Sequence, residues 1–130
     1  MTVATVLDTN ALLRWTHAPG RLSTAAAGIL AAAGDDELVL CAMSIWEVGW
    51  KQRIGKLDPG MSVEEYAARL DRLPLRVVAV DTDLWLRNVA LDWKHRDPVD
   101  RTIVGLAQRL GARLLTSDRT IRDFYAEAVW

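Results

Sequence analysis

The stretch Thr5-Val6-Leu7-Asp8-Thr9-Asn10-Ala11-Leu12-Leu13 is an apolar run that stops on an acid and two small polar residues before apolar residues resume. Val3, Val6 and Leu7 read as a short buried strand, and Asp8, Thr9 and Asn10 fall where a parallel strand ends and a helix begins. Leu38-Val39-Leu40-Cys41 is apolar on both faces, as expected of a parallel strand covered on two sides. Arg76-Val77-Val78-Ala79-Val80 and Arg113-Leu114-Leu115-Thr116 are the third and fourth strand candidates, and Ala128-Val129-Trp130 is a candidate for a last edge strand. Strands alternating with helices predict an α/β fold around a mostly parallel sheet of four to five strands. Ligands of such sheets bind at the C-terminal edge, where Asp8 lies. Helix capping is the plainer role of Asp8 taken alone, because Asp, Thr and Asn all accept hydrogen bonds at a first turn.

The intervening segments carry helix signals. Residues 11–15 form a short helical stretch before the turn dipeptide Pro19-Gly20, and Ser23 caps an Ala-rich helix over 24–33, closed by Gly34 and followed by Asp35-Asp36-Glu37. Ser44 opens a helix to about residue 54, and Ser44 with Glu47 has the spacing of a capping box. Glu47 also has a possible partner in Lys51 one turn on. An amphipathic helix spans 62–73, and a helix begun by Asp81 or Thr82 runs from about 83 to 93. Asp97 caps a helix over 98–110 that has Pro98 at its first position and Gly111 at its end, and 119–125 is a short last helix.

With 130 residues, 51% apolar and 25% charged, the chain is expected to form one globular domain over 1–130 with a core that needs no covalent staple. The single Cys41 has no intramolecular partner, follows an apolar run and reads as a buried thiol of a reducing compartment. There is no export signal at Met1-Thr2-Val3 and no run long enough to span a bilayer, so a cytoplasmic location without membrane contact is expected. A net charge of −1 does not announce a nucleic-acid binder. Four of the 17 acids gathered in one pocket would leave the rest of the surface mildly basic.

Four acids share one placement. Asp8, Glu47, Asp100 and Asp118 each sit just after a strand or in the first turn of a helix, and helices that follow parallel strands start at the same sheet edge. Carboxylates converging there repel by about 4 kcal/mol per pair at ~4 Å and an effective dielectric of 20. A hard divalent cation with oxygen ligands offsets that cost, which makes Mg²⁺ or Mn²⁺ the natural occupant; no His or Cys cluster supports zinc. Asp81 also follows a strand, but reads as a helix cap on a strand near the sheet edge and is left out of the site.

Val6-Leu7-Asp8-Thr9-Asn10, Ser44-Ile45-Trp46-Glu47, Asp97-Pro98-Val99-Asp100-Arg101 and Leu115-Thr116-Ser117-Asp118 resemble the ordered motifs of PIN-domain nucleases, and the length resembles VapC-type toxins of bacterial toxin–antitoxin pairs. The resemblance runs from Val3 to Trp130. It implies a three-layer α/β/α sandwich with metal-site acids at Asp8, Glu47, Asp100 and Asp118. Its polar helpers fall on Thr9, Asn10, Ser44 and Thr116 or Ser117, and Asp97 is an extra acid that caps, supports or ligates. The implied activity is hydrolysis of single-stranded or looped RNA by a water activated by Mg²⁺ or Mn²⁺, with a cognate antitoxin and a homodimer as partners. Lys94, Arg96 and Arg101 are candidates to hold phosphate, against the plainer reading of exposed charge or pairing with Asp97.

The six tryptophans, Trp15, Trp46, Trp50, Trp85, Trp93 and Trp130, are expected mostly in the core or at an interface. Three rivals stand beside the metal nuclease. One is a metal-free ribonuclease using His17 and His95 with the substrate 2′-OH. Another is a phosphotransferase with Asp8 as nucleophile, for which Asn10 stands where a second Asp is usual. The third is a non-catalytic module that binds RNA or a partner on the same fold.

Overall fold

The computed structural model describes residues 4–34 and 37–130. The expected roles of Val3 in the first strand and of Asp35-Asp36 after the second helix fall outside the described residues. In chain order the elements are β1 (Thr5–Leu7), α1 (Thr9–His17), a 3₁₀ turn (Pro19–Arg21), α2 (Thr24–Ala32), β2 (Leu38–Cys41), α3 (Met43–Arg53), α4 (Val63–Leu70), β3 (Arg76–Val78), α5 (Thr82–Ala90), α6 (Pro98–Leu110), β4 (Arg113–Leu115), α7 (Arg119–Phe124) and β5 (Ala128–Val129).

The strands form one sheet in the order β3-β2-β1-β4-β5. Every pairing is parallel. The chain winds outward from β1 through β2 to β3, then returns to lay β4 on the other side of β1. The gap between β1 and β4 is therefore the topological switch point, where open parallel sheets hold their ligands. Register puts Leu7 level with both Leu40 and Leu115, so Asp8 and Thr116 leave their strands side by side.

Successive strand residues point to opposite faces, which divides the apolar residues into two cores. Val6, Val39, Cys41 and Leu114 pack with Leu84 of α5, with Val99, Ile103, Val104 and Leu106 of α6, and with Ile121 of α7. Leu7, Leu38, Leu40 and Leu115 pack on the opposite side with Ala11 and Leu12 of α1, Leu30 of α2, Val48 of α3 and Tyr66 and Leu70 of α4. This is the expected three-layer sandwich. Among the described residues no helix is long and apolar enough to cross a membrane.

Several elements are shorter than their sequence patterns predict. β3 stops at Val78 because its partner β2 ends at Cys41, level with it. α5 stops at Ala90 rather than reaching Trp93. The cause is Arg101 of α6, whose guanidinium donates to the carbonyls of Asn88, Leu91, Trp93 and His95 at 2.6–3.0 Å. Both bonds to Asn88 are counted among these five, so every N–H of the fork is in use. Carbonyls that would have continued α5 are turned onto a cation, and residues 91–97 follow an irregular path to Asp97. α6 then ends as expected at Gly111, which takes the left-handed conformation (φ +59°) that favours glycine. Of the tryptophans, Trp46, Trp50 and Trp85 are about half exposed and the other three are partly buried, so none is fully enclosed in the core.

Arg101→Met leaves four carbonyls without their cationic donor. It is expected to lower unfolding free energy by roughly 2–4 kcal/mol in urea titration, with Arg101→Lys recovering only part of the loss because an ammonium cannot match the fork.

Candidate metal centre

The switch point opens into a pocket of about 140 Å³ lined by Asp8, Thr9, Asn10, Glu47, Lys51, Asp97, Asp100 and Asp118. The four acids singled out in the sequence thus face one space. They arrive on four elements. Asp8 is the N-cap of α1 and Asp118 that of α7, Asp100 lies in the first turn of α6, and Glu47 lies in α3.

Asp8 is the most buried of them, 4% exposed. Its Oδ1 accepts from the Ala11 N–H at 2.7 Å, and its Oδ2 accepts from the Thr116 hydroxyl. That hydroxyl also accepts from the Asp118 N–H at 3.0 Å, so one threonine ties the end of β1 to the start of α7. Burial dominates these favourable contacts and raises the Asp8 pKa from 3.8 to about 6, with the charges of Asp100 and Asp118 adding to the rise. Asp100 is raised to about 6 as well, chiefly by burial, against the opposing hydrogen bond from His95. His95 Nε2 lies 2.7 Å from Asp100 Oδ2, and the imidazole rests against Trp93 with ring centroids 4.7 Å apart.

Asp97 is a cap as expected, its Oδ1 accepting from the N–H groups of Val99 and Asp100. It also faces the pocket. One nitrogen of His95 and one oxygen each of Asp97 and Asp100 lie within 4.8 Å of one another, the one such group of three among the described residues. Asp8, Glu47 and Asp118 surround the same space more widely, as mutually repelling carboxylates do.

Glu47 does not fold back onto Ser44. α3 starts one residue before Ser44, with Ala42 as its N-cap and no side-chain cap, so the capping box never forms. Ser44 is instead fully buried and accepts from the Thr9 hydroxyl at 3.0 Å, joining the starts of α1 and α3 beneath the pocket. Glu47 points into the pocket and meets Lys51 Nζ at 3.3 Å.

The polar helpers divide differently from expectation. Thr116 holds Asp8, whereas the Ser117 hydroxyl accepts from Arg14 at 3.1 Å and does not line the pocket. Thr9 bonds Ser44 rather than Asp8, and Asn10 is exposed at the pocket rim. Arg101 is not available for phosphate, because the α5–α6 connection consumes its five donors. Lys94 and Arg96 are exposed and lie outside the pocket lining. Lys51 and His95 are the additions. Lys51 was legible as the i+4 partner of Glu47, while the approach of His95 to Asp100 passes through an irregular loop that no periodicity reveals. Asp81 caps α5, binds Arg109 and does not line the pocket. His17 bonds Thr16 and the Pro59 carbonyl and does not share the pocket near which His95 lies, so the two histidines do not form an acid–base pair.

The donor set is oxygen-rich and strongly anionic, with five carboxylates against one ammonium. Two of those carboxylates have raised pKa values. These residues fit a hard divalent cation, and because Mg²⁺ keeps several of its waters, wide spacing of the acids is compatible with binding.

Comparison with known proteins places this geometry in a family. Residues 5–127 match the model of the PIN domain. The chain is 31% identical over 119 residues to ribonuclease VapC22 of Mycobacterium tuberculosis (strain ATCC 25618 / H37Rv), covering 91% of this chain and 89% of that protein. Its fold matches a chain of a toxin–antitoxin complex from Klebsiella pneumoniae with a TM-score of 0.68 at 18% identity, covering 98% of this chain and 97% of that one. It also matches FitAcB from Neisseria gonorrhoeae with a TM-score of 0.65 at 16% identity, over 95% of this chain and 92% of that one. Its sheet order, its acidic switch point, and its match to the family model and to a curated relative together make this chain a VapC-type member of the PIN-domain family.

Proposed function

We propose that the protein is a Mg²⁺- or Mn²⁺-dependent endoribonuclease, acting as one domain over residues 1–130, and the toxin of a toxin–antitoxin pair. The observation that carries this reading is the meeting of Asp8, Glu47, Asp100 and Asp118 in one pocket at the switch point of the sheet. The name of the curated relative, a ribonuclease, supports the substrate class.

Asp8, Asp100, Asp118 and Glu47 would hold the cation. A bound divalent ion supplies an activated water at neutral pH and offsets charge on phosphoryl oxygens. Thr116 and the Ala11 N–H fix the Asp8 carboxylate, so little reorganisation accompanies binding. Asp100 has Oδ2 tied to His95, which would leave its other oxygen to hold the cation or to accept a proton. Lys51 stands beside Glu47, where its ammonium can meet a phosphate oxygen. A water nucleophile makes the substrate 2′-OH dispensable, so preference for RNA resides in binding.

An antitoxin and a second copy of the chain are the proposed companions. The exposed Trp46, Trp50 and Ile54 of α3 and Trp85, Leu86 and Val89 of α5 support them as apolar surface available for cover. A cytoplasmic site of action accords with the buried free thiol of Cys41.

The activity test is cleavage of single-stranded RNA with Mg²⁺ or Mn²⁺. Asp8→Asn and Asp100→Asn are each expected to lower the rate by at least about a hundredfold, and Thr116→Val by roughly ten- to a hundredfold through the misplaced Asp8. Unchanged cleavage by both Asn variants sinks the site. Metal-free cleavage leaving 2′,3′-cyclic phosphate sinks the mechanism, and no cleavage by antitoxin-free wild type favours a binding module.

Stability offers a test independent of turnover. For an acid whose folded pKa is raised, the stabilising contribution is fully present below the unfolded value and is lost as pH rises through the folded one. For Asp8 and Asp100 that window runs from 3.8 to about 6, and each costs the metal-free protein on the order of 3 kcal/mol above it. Asp100→Asn is therefore expected to raise the metal-free Tm by roughly 5–10 °C at pH 7.5 and hardly at all at pH 4. Mn²⁺ should raise the wild-type Tm at pH 7.5 but not at pH 4. A variant with no stability gain at pH 7.5 contradicts the charge account.

A further inference from the structure

A second groove, of about 340 Å³, runs along α1 and is lined by Asn10, Arg14, His17, Arg21, Asp58 and Pro59 among others. Asn10 also lines the acidic pocket, so the two spaces meet the same side chain of α1. Two of the named side chains, Arg14 and Arg21, are cationic, against the one carboxylate of Asp58, which accepts from the Gly60 N–H at 2.8 Å.

Arg14 sits one helical turn beyond Asn10 and is held in place twice. One Nη donates to the Ser117 hydroxyl at 3.1 Å, in the residue between Thr116 and Asp118. The guanidinium lies over the Trp130 ring, 5.1 Å from its centroid. No carboxylate pairs with it among the described residues. By contrast Arg87 and Arg109 face Asp81 and Asp83, Arg69 faces Glu65, and Arg101 is consumed by carbonyls. A half-buried guanidinium that is oriented by a ring and a hydroxyl, keeps most of its donors and has no anionic partner is pre-organised for an anion. Arg21, exposed in the 3₁₀ turn, continues the basic lining away from the pocket.

We propose that this groove carries the sugar–phosphate backbone of the RNA substrate, with Arg14 gripping a phosphate flanking the scissile one and Arg21 a phosphate farther along. This rests on the ribonuclease reading and assigns the phosphate grip to α1 rather than to the connection before α6. An anionic backbone entering from α1 meets cations first and the acids only where a metal ion offsets them. The groove thus sets the strand's direction across the centre.

The test measures binding of a fluorescent single-stranded RNA oligonucleotide without divalent metal, across a salt series. It compares wild type, Arg14→Gln, Arg14→Lys, Arg21→Gln and the control Arg76→Gln, which removes the same charge at the start of edge strand β3. Arg14→Gln is expected to weaken binding about tenfold near 0.1 M salt and to reduce the log–log salt slope by about 0.7, the value for one single-strand phosphate. Arg21→Gln should weaken it severalfold, Arg14→Lys should recover part of the affinity, and Arg76→Gln should stay within twofold. In cleavage with Mn²⁺, Arg14→Gln should raise KM and leave kcat within about threefold. Unchanged RNA affinity in both Arg14→Gln and Arg21→Gln overturns the proposal, as it would if an acidic peptide were the groove's ligand. An equal loss in Arg76→Gln overturns it too, since net charge would then explain binding. A fall in kcat at constant KM makes Arg14 a support for Ser117 and Asp118 and likewise overturns it. RNA binding that depends on Arg14 and Arg21 in a protein that never cleaves would instead defeat the ribonuclease reading alone.

Discussion

Carboxylates brought to one edge of a sheet repel one another, and the structure depends on the means by which that repulsion is held in check. Asp8, Asp97 and Asp118 each accept backbone N–H bonds at the start of a helix, and Asp100 lies in the first turn of one. These placements put partial positive charge beside the acids but do not cancel their charge. Burial then works against ionisation, and Asp8 and Asp100 retain raised pKa values. A scaffold that tolerates such a cost keeps in reserve free energy that cation binding can release. The Thr116 hydroxyl is central to it, because it bonds Asp8 while receiving the Asp118 N–H.

The fold was legible to the extent that it follows from local pattern. The apolar four-residue run of β2 and the Asp97, Pro98 and Gly111 signals of α6 state their elements directly, and both stand where expected. The arrival of Asp8 and Asp118 at a common edge follows from parallel winding, whereas the pairing of β4 with β1 is known from the structure. Lengths were less legible. α5 loses its last turn to Arg101, a residue ten or more positions away whose pull leaves no trace in the α5 sequence. Ser44 and Glu47 had the spacing of a capping box, yet α3 begins before Ser44, and a buried bond to Thr9 takes the hydroxyl instead.

The cations were harder to read than the acids, for a physical reason. An acid at a helix start is placed by the backbone, within a residue or two of a strand end. A long basic side chain reaches across elements, and its role depends on what it meets there. Arg101 was a candidate for phosphate, with exposed charge or pairing with Asp97 as the plainer reading, and it serves as an internal clamp instead. Arg14, unremarkable in the sequence, is aligned by Ser117 and Trp130, residues more than a hundred positions later. The electrostatic division that results is an anionic pocket at the switch point and, beside it along α1, a groove lined by Arg14 and Arg21 that shares Asn10 with it.

The central claim is that the acidic pocket is a divalent-metal site, and the most direct measurement is anomalous scattering from a crystal of the protein soaked in Mn²⁺. The expected result is a peak in the switch-point pocket, about 2 Å from oxygens of Asp8 and Asp100 and within direct or water-mediated reach of Asp118 and Glu47. A pocket with no Mn²⁺ peak at millimolar Mn²⁺ and neutral pH, or Mn²⁺ bound only outside it, would contradict the account.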